Sequence, residues 1–185
     1  MTATVPTAVE LLERAVGYTR LRLDDVTAGA LANPTPCRDW DLGQLLDHMD
    51  DALDAFTEAS TGRVRLEPTP VAGDVLERLR TKACDLLSAW ATPYAGAGVE
   101  VADRTMPTDL LLGAGALEIA VHGWDVGQAT GHPAPIPVEL ARELLPLARS
   151  LVSDADRPSR FGPALPQAPQ ARSDQVLLGL LGRFG

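Results

Sequence analysis

An all-α fold, an antiparallel four-helix bundle with a short C-terminal helical extension, is predicted by three features of this 185-residue chain. Apolar residues recur at intervals of three and four over long segments, the period of helices with one buried face. Short or Pro-containing connections join those segments, which returns consecutive helices antiparallel. Nothing repeats and no linker intervenes, so residues 1–185 read as one domain, long enough to bury a substantial core.

Each element has its own signal. Val9, Leu12, Val16, Thr19, Leu23, Val26 and Ala30 predict a first helix over 6–30, closed by Pro34, Thr35 and Pro36. Asp41, three residues before Gln44, forms a capping-box pattern that opens a second helix over 41–59. Its buried side carries Leu42, Leu45, Leu46, Met49, Leu53 and Phe56, and Gly62 and the stretch from Pro68 to Gly73 break it. A third helix, 74–90, rests on Leu76, Leu79, Ala83, Leu86, Leu87 and Trp90. In the Gly- and Pro-containing stretch 91–107, Val99 and Val101 make at most a short extended piece. The fourth helix, 109–130, is expected to start from Thr108 as N-cap and to stop at Gly131 as C′ residue. A fifth covers 138–154, kinked at Pro146; 155–172 is an ordered arm with Phe161 and Leu165 among its prolines, and a last short helix carries Val176, Leu177, Leu180 and Leu181.

The bulk properties exclude several functions. A net charge of −9 and a pI of about 4.7 argue against nucleic acid or an anionic membrane as partner, because phosphate binding needs a basic face. Two cysteines, Cys37 and Cys84, make no disulfide framework, and no CxxC pair serves zinc or redox chemistry. Neither a signal-like segment after Met1 nor an uninterrupted apolar run of spanning length is present, which leads to the expectation of a cytoplasmic protein. No Ser/His/Asp order, P-loop or GxGxxG supports triad hydrolysis or nucleotide chemistry.

The chemistry concentrates in AGALEIAVHGWDVG. Glu118 and His122 stand four residues apart on one face of a helix whose other positions, among them Leu110, Leu112, Leu117, Ile119, Val121, Trp124 and Val126, are apolar around most of the circumference. A carboxylate buried there needs a counter-ion, hydrogen bonds or a metal. Asp125 falls one turn beyond His122 in the same sector, and Gly115 about one turn before Glu118, leaving an expected opening. On the second helix His48 lies at the edge of the apolar stripe. If the two helices meet there, His48, Glu118 and His122 form a His2Glu set, the composition of a catalytic zinc site with one open position. The residues alone leave a second reading open, a hydrogen-bonded Glu/His pair with His48 as an edge histidine.

Other marked residues have plainer readings. Trp40 and Trp124 are read as core or helix-packing residues. Asp125 is read as orienting a ligand or pairing with an Arg, with Asp51 after His48 a weaker parallel. Cys37 is read as local packing, Cys84 as structural on the apolar face of the third helix, and Asp24, Asp25, Asp50 and Asp51 as solvent-facing charges.

TPCRDWDLGQLLDHM at 35–49, LEIAVHGWDVGQATG at 117–131, FGPALPQAP at 161–169 and LLGLLGR at 177–183 together resemble the metal-binding proteins of the DinB-like superfamily. The resemblance is strongest to the branch typified by the N-terminal domain of mycothiol-dependent maleylpyruvate isomerase. It implies a four-helix bundle whose divalent metal is held by a histidine of the second helix and by Glu and His of the fourth, which map onto His48, Glu118 and His122. It also implies activation of a low-molecular-weight thiol such as mycothiol for transfer or isomerisation. The separate C-terminal domain of the isomerase has no match here, so maleylpyruvate is not the expected substrate.

Two functions follow as expectations. One is an enzyme, a thiol transferase or isomerase using a divalent ion, Zn2+ foremost, to activate a mycothiol-like thiol or water against a small substrate. The alternative is a non-catalytic metal-binding or accessory protein in which the ion staples helices two and four. The expected partners are a small-molecule substrate or thiol, with no nucleic acid and no membrane, and with homodimer formation left open. The pocket is expected between helices two and four, near Gly115 and Asp125.

Overall fold

The structure is a computed structural model and describes residues 6–37, 39–64, 73–92, 96, 98–157 and 159–183. It is mostly helical, and the described residues include α1 (Ala8–Leu23), α2 (Leu42–Glu58), α3 (Val75–Trp90), α4 (Thr108–Ala129), α5 (Val138–Leu151) and α6 (Ser173–Leu180). Helix α1 packs on α4 and α2 on α3, while α2 also meets α4 and α1 meets α3; α5 covers α4 and α6 covers α5. Among the described residues no helix is long and apolar enough to cross a membrane.

Helix starts follow local chemistry. Thr7 and Glu10 close a reciprocal capping box at α1, and Asp41 and Gln44 close the expected one at α2, with Gln44 N–H donating to Asp41 Oδ1 at 2.9 Å. Asp74 accepts from the backbone of Leu76 and Glu77 to start α3. Thr108, by contrast, is the first residue inside α4; Pro107 stands at the N-cap position, and Thr108 Oγ1 is buried without a hydrogen-bond partner. A proline before the first turn loses nothing there, since those N–H groups have no helical acceptor.

Helix ends correct two expected boundaries. α1 stops at Leu23 instead of residue 30, because Asp24 and Asp25 place negative charge at the negative end of the helix dipole; a 3-10 turn at Ala28–Ala30 follows. Val26 nevertheless stays buried, which preserved the apolar spacing that suggested a longer helix. α5 ends at Leu151, where Ser153 and Asp156 close a short turn of their own. Gly131 does end α4: at φ +78° it lets its own N–H reach Gln128 O and the N–H of His132 reach Gly127 O at 3.0 Å, a Schellman closure.

Val99 and Val101 do form a short extended piece, as one strand of a small sheet that the periodicity does not predict. Strand β1 (Arg63–Val64) runs parallel to β2 (Val99–Val101), which forms a hairpin with β3 (Arg104–Met106). Gly62, at φ +91°, ends the preceding helical turn as expected, whereas the expected break from Pro68 onward lies outside the described residues up to 72.

Burial concentrates on α4, which is enclosed on nearly every side, as its unbroken apolar composition requires. Leu45, Leu46, Leu12, Leu144 and Leu177 are fully buried around it. The closest approach is to α1. Thr19 Oγ1 donates to Ile119 O at 2.7 Å, and a Cβ on Gly123 would stand 2.2 Å from Thr19 Oγ1. Only glycine at 123 lets the helices come this close, next to His122 in the sequence.

Candidate metal centre

Helix α2 presents His48 toward α4, where Glu118 and His122 share a face one turn apart. Glu118 Oε1 lies 2.7 Å from His48 Nε2 and 3.1 Å from His122 Nε2. The two imidazoles meet edge-on, with ring centres 5.1 Å apart. One donor atom from each of the three residues lies within 4.8 Å of the others, so the expected His2Glu set is brought together across the two helices as a group that can hold a metal ion. Among the described residues no fourth His, Cys, Asp or Glu joins it.

Behind His122 the site is locked by charges. His122 Nδ1 is 2.9 Å from Asp125 Oδ2, and Asp125, 0% exposed, is gripped by Arg183 Nε and a terminal guanidinium nitrogen at 2.9–3.1 Å. Asp125 thus touches both an imidazole and an arginine, the two kinds of partner expected for it. Arg183, itself buried, had no assigned role in the sequence. It is aimed by the end of α6, where Gly182 at φ +71° allows the N–H groups of Gly182 and Arg183 to close onto Gly179 O and Leu178 O. The arm holds this end in place: Leu165 N–H donates to Gly179 O, and Arg157 donates to the carbonyls of Gly162 and Leu180.

Burial opposes every charge here, and the partners overcome it. For His122, burial favours the neutral ring, but Glu118 and Asp125 raise its pKa to about 9. Glu118 would be raised by burial, yet the two imidazoles hold it well below the usual carboxylate range. Asp125 is likewise kept low against its burial by Arg183 and His122. Donating from both ring nitrogens, His122 is an imidazolium at neutral pH when no metal competes for Nε2.

Two cavities meet at Glu118 and His122. One, of about 450 Å³, is a polar cleft toward the arm, with His48, Trp40, Cys37, Arg160 and Arg183 in its walls. The other, of about 280 Å³, lies among α1, α2, α3 and α4. Trp40 is therefore more than packing: its ring stands 4.5 Å from that of His48 and walls the cleft, whereas Trp124 is a core residue as expected. The half-buried Cys37 thiol also faces the cleft, and burial pushes its pKa up to about 11 despite the nearby Arg183.

Several expectations about the surroundings are corrected. Gly115 opens no pocket; a Cβ there would lie 3.1 Å from the Phe56 ring, which fills the space. Asp125 lines neither cavity, being sealed between His122 and Arg183. Cys84 is exposed instead of packed, because the α3 face that carries it borders the second cavity. Asp50 is buried between α2 and α3, paired with Arg78 and Lys82, which stand one turn apart on α3. Asp51 is exposed, with no place beside His48 like that of Asp125 beside His122.

Comparison with known proteins places this geometry. The chain is 26% identical over 149 residues to Rv0738 and to MT0763, two uncharacterized proteins of Mycobacterium tuberculosis, covering 80% of this chain and 79% of each relative. The family model described as mycothiol maleylpyruvate isomerase N-terminal domain matches residues 12–127, a stretch that contains His48, Glu118, His122 and Asp125. Arg183 lies beyond the matched residues. The chain thus belongs to the mycothiol maleylpyruvate isomerase N-terminal domain family, a branch of the DinB-like superfamily.

Proposed function

We propose that the protein is a metal-dependent enzyme that activates a low-molecular-weight thiol of the mycothiol type, or water, for transfer or isomerisation on a small substrate. His48, Glu118 and His122 would hold the divalent ion, Zn2+ by the chemistry of the donors, in an antiparallel bundle formed by α1 to α4. The observation that carries this reading is the convergence of two imidazole Nε2 atoms on one Glu118 oxygen beside open space. Such donors fit a borderline-soft cation with a position left for an exchangeable ligand. When bound there, the ion acts as a Lewis acid that lowers the pKa of a thiol or water toward neutrality.

The chain's own residues prepare that chemistry. Asp125 fixes the tautomer of His122 by accepting a hydrogen bond from its Nδ1–H, and Arg183 keeps Asp125 in place. Trp40 stands against the His48 ring and limits its rotation. The polar cleft, with Asp39, Ser159 and Arg160 on its walls, suits a hydroxyl- and amide-rich thiol, and the cytoplasm keeps such thiols reduced. The absence of a fourth side-chain donor among the described residues supports an exchangeable site over a metal that only staples α2 to α4.

Metal analysis of untagged protein, followed by calorimetric titration of the metal-loaded form with mycothiol, tests the reading. One divalent ion per chain and saturable thiol binding that disappears on chelation are expected. A metal-loaded protein that neither binds the thiol nor exchanges water at the ion would favour the staple.

A further inference from the structure

The second cavity is not needed to hold a metal or a polar thiol, and its character differs from that of the cleft. Its walls are Val16 and Leu23 of α1, Met49 and Leu53 of α2, and Leu79 and Leu87 of α3. Its inner end is Glu118, Ile119 and His122, so it reaches the donor set from the side opposite the arm. Its outer end is rimmed by Glu13, Gly17, Arg20, Arg80 and Cys84, all exposed, and therefore opens to solvent.

A well-packed bundle would close such a space, because unfilled volume in a core costs stability in proportion to its size. Small residues keep it open here. Gly17 sits in the middle of α1, where glycine is a poor helix former, and a Cβ at that position would meet nothing within 4 Å. Ala52 and Ala83 line the same space from α2 and α3. An apolar cavity of about 150 Å³ accommodates benzene. At about 280 Å³ this one has room for a molecule of one or two rings, or an aliphatic skeleton of that bulk.

We propose that this cavity is the pocket for the second substrate, a compact, uncharged, predominantly apolar molecule, which enters between α1 and α3 and reaches Glu118 and His122 while the polar thiol occupies the cleft. The assignment of the two sides to two substrates rests on the function proposed above. The capacity of the cavity to bind an apolar molecule stands on its shape and lining alone, and the two fail differently in the test.

The test is fluorescence titration with 2-naphthol at pH 7, on metal-loaded and on chelator-stripped protein. Saturable binding at one site is expected in both forms. Gly17→Leu, which projects into open space and improves helix propensity, and Ala83→Phe, which fills the cavity from α3, should each weaken binding at least tenfold with the helical circular dichroism spectrum retained. In a Cys37→Ser background, saturating 2-naphthol should also slow alkylation of Cys84 by iodoacetamide. Absence of saturation in both forms, or affinity unchanged in a folded filling variant, overturns the pocket. Binding of 2-naphthol to protein that takes up no metal would retain the pocket and overturn the metal-centred reaction instead.

Discussion

Arg183, near the C-terminal end of the chain, holds Asp125 on α4 through a two-pronged ion pair from which water is excluded, and Asp125 in turn holds the ring of His122. A pair buried this deeply is costly to break, since removing one partner strands the other charge away from water. Arg183→Leu is expected to destabilise the protein by about 3–5 kcal/mol, measured by urea denaturation of the metal-free form. Asp125→Asn keeps the shape and removes the charge that orients His122; metal affinity, measured by chelator competition, should fall by roughly 10- to 100-fold. Unchanged affinity in Asp125→Asn would show that the ring needs no such support.

The donors themselves make a sharper test. His122→Ala and His48→Ala should each lose most of the bound ion, read by elemental analysis after dialysis, because the set has no spare His, Cys, Asp or Glu among the described residues. Retention of a full complement in either variant would mean that the ion is held elsewhere.

Helix approach predicts a third result. Gly123→Ala places a methyl against Thr19 Oγ1 at a separation no real contact allows, so α1 and α4 must move apart. Overpacking of this kind costs about 1–3 kcal/mol. Thr19→Ala in the same chain removes the 2.2 Å contact but keeps the residue-19 Cβ and Cα, at 2.9 and 3.1 Å, so the double variant should recover only part of the lost melting temperature.

Legibility in the sequence varied with how local each cause was. Glu118 and His122 were visible because two polar residues one turn apart interrupt an otherwise apolar helix, and helix α2 because its capping box and apolar stripe agree. His48 joined them mainly through resemblance, since an edge histidine carries no mark of what faces it. Arg183 stayed hidden: its partner is 58 residues away, and the only local trace of its role is the glycine before it, which turns the end of α6. Asp50 and Cys84 sit in environments other than those their sequence neighbourhood predicts, for a related reason. One gains its cations from α3 and the other borders a void, and neither fact is encoded in its own helix's periodicity. Strands of two and three residues are too short to show an alternation.

The ionisation of the metal-free site predicts a pH dependence of stability with two flanks. His122 has its pKa raised from 6.5 to about 9, so its contribution is complete below about pH 6.5 and is lost as pH rises through 9. Glu118 and Asp125 are depressed, so theirs is complete above the ordinary carboxylate range and is lost as pH falls below it. Melting temperature without metal should therefore be greatest between about pH 4.5 and 6.5 and decline toward pH 9. Metal needs the neutral ring and displaces the Nε2 proton, so the rise in melting temperature on adding Zn2+ should grow across that same decline. A zinc-induced shift independent of pH between 6 and 9 would contradict the charged His122.

The two thiols should separate cleanly by rate. Cys84 is exposed at the rim of the apolar cavity, whereas Cys37 is half-buried with its pKa raised from 9.0 to about 11. Only the thiolate reacts, and at pH 8 the shift of Cys37 from 9.0 to about 11 cuts its thiolate fraction on the order of 100-fold, while its burial also hinders access. A disulfide reagent added to the metal-free protein at pH 8 should titrate one thiol quickly and the other on the order of 100-fold more slowly. The sign follows from the same shift: each unit of pH up to about 11 should accelerate the slow phase roughly tenfold. Cys84→Ser should abolish the fast phase and leave the slow one, and a fast phase that survives in that variant would place a reactive thiolate at Cys37, beside the donors.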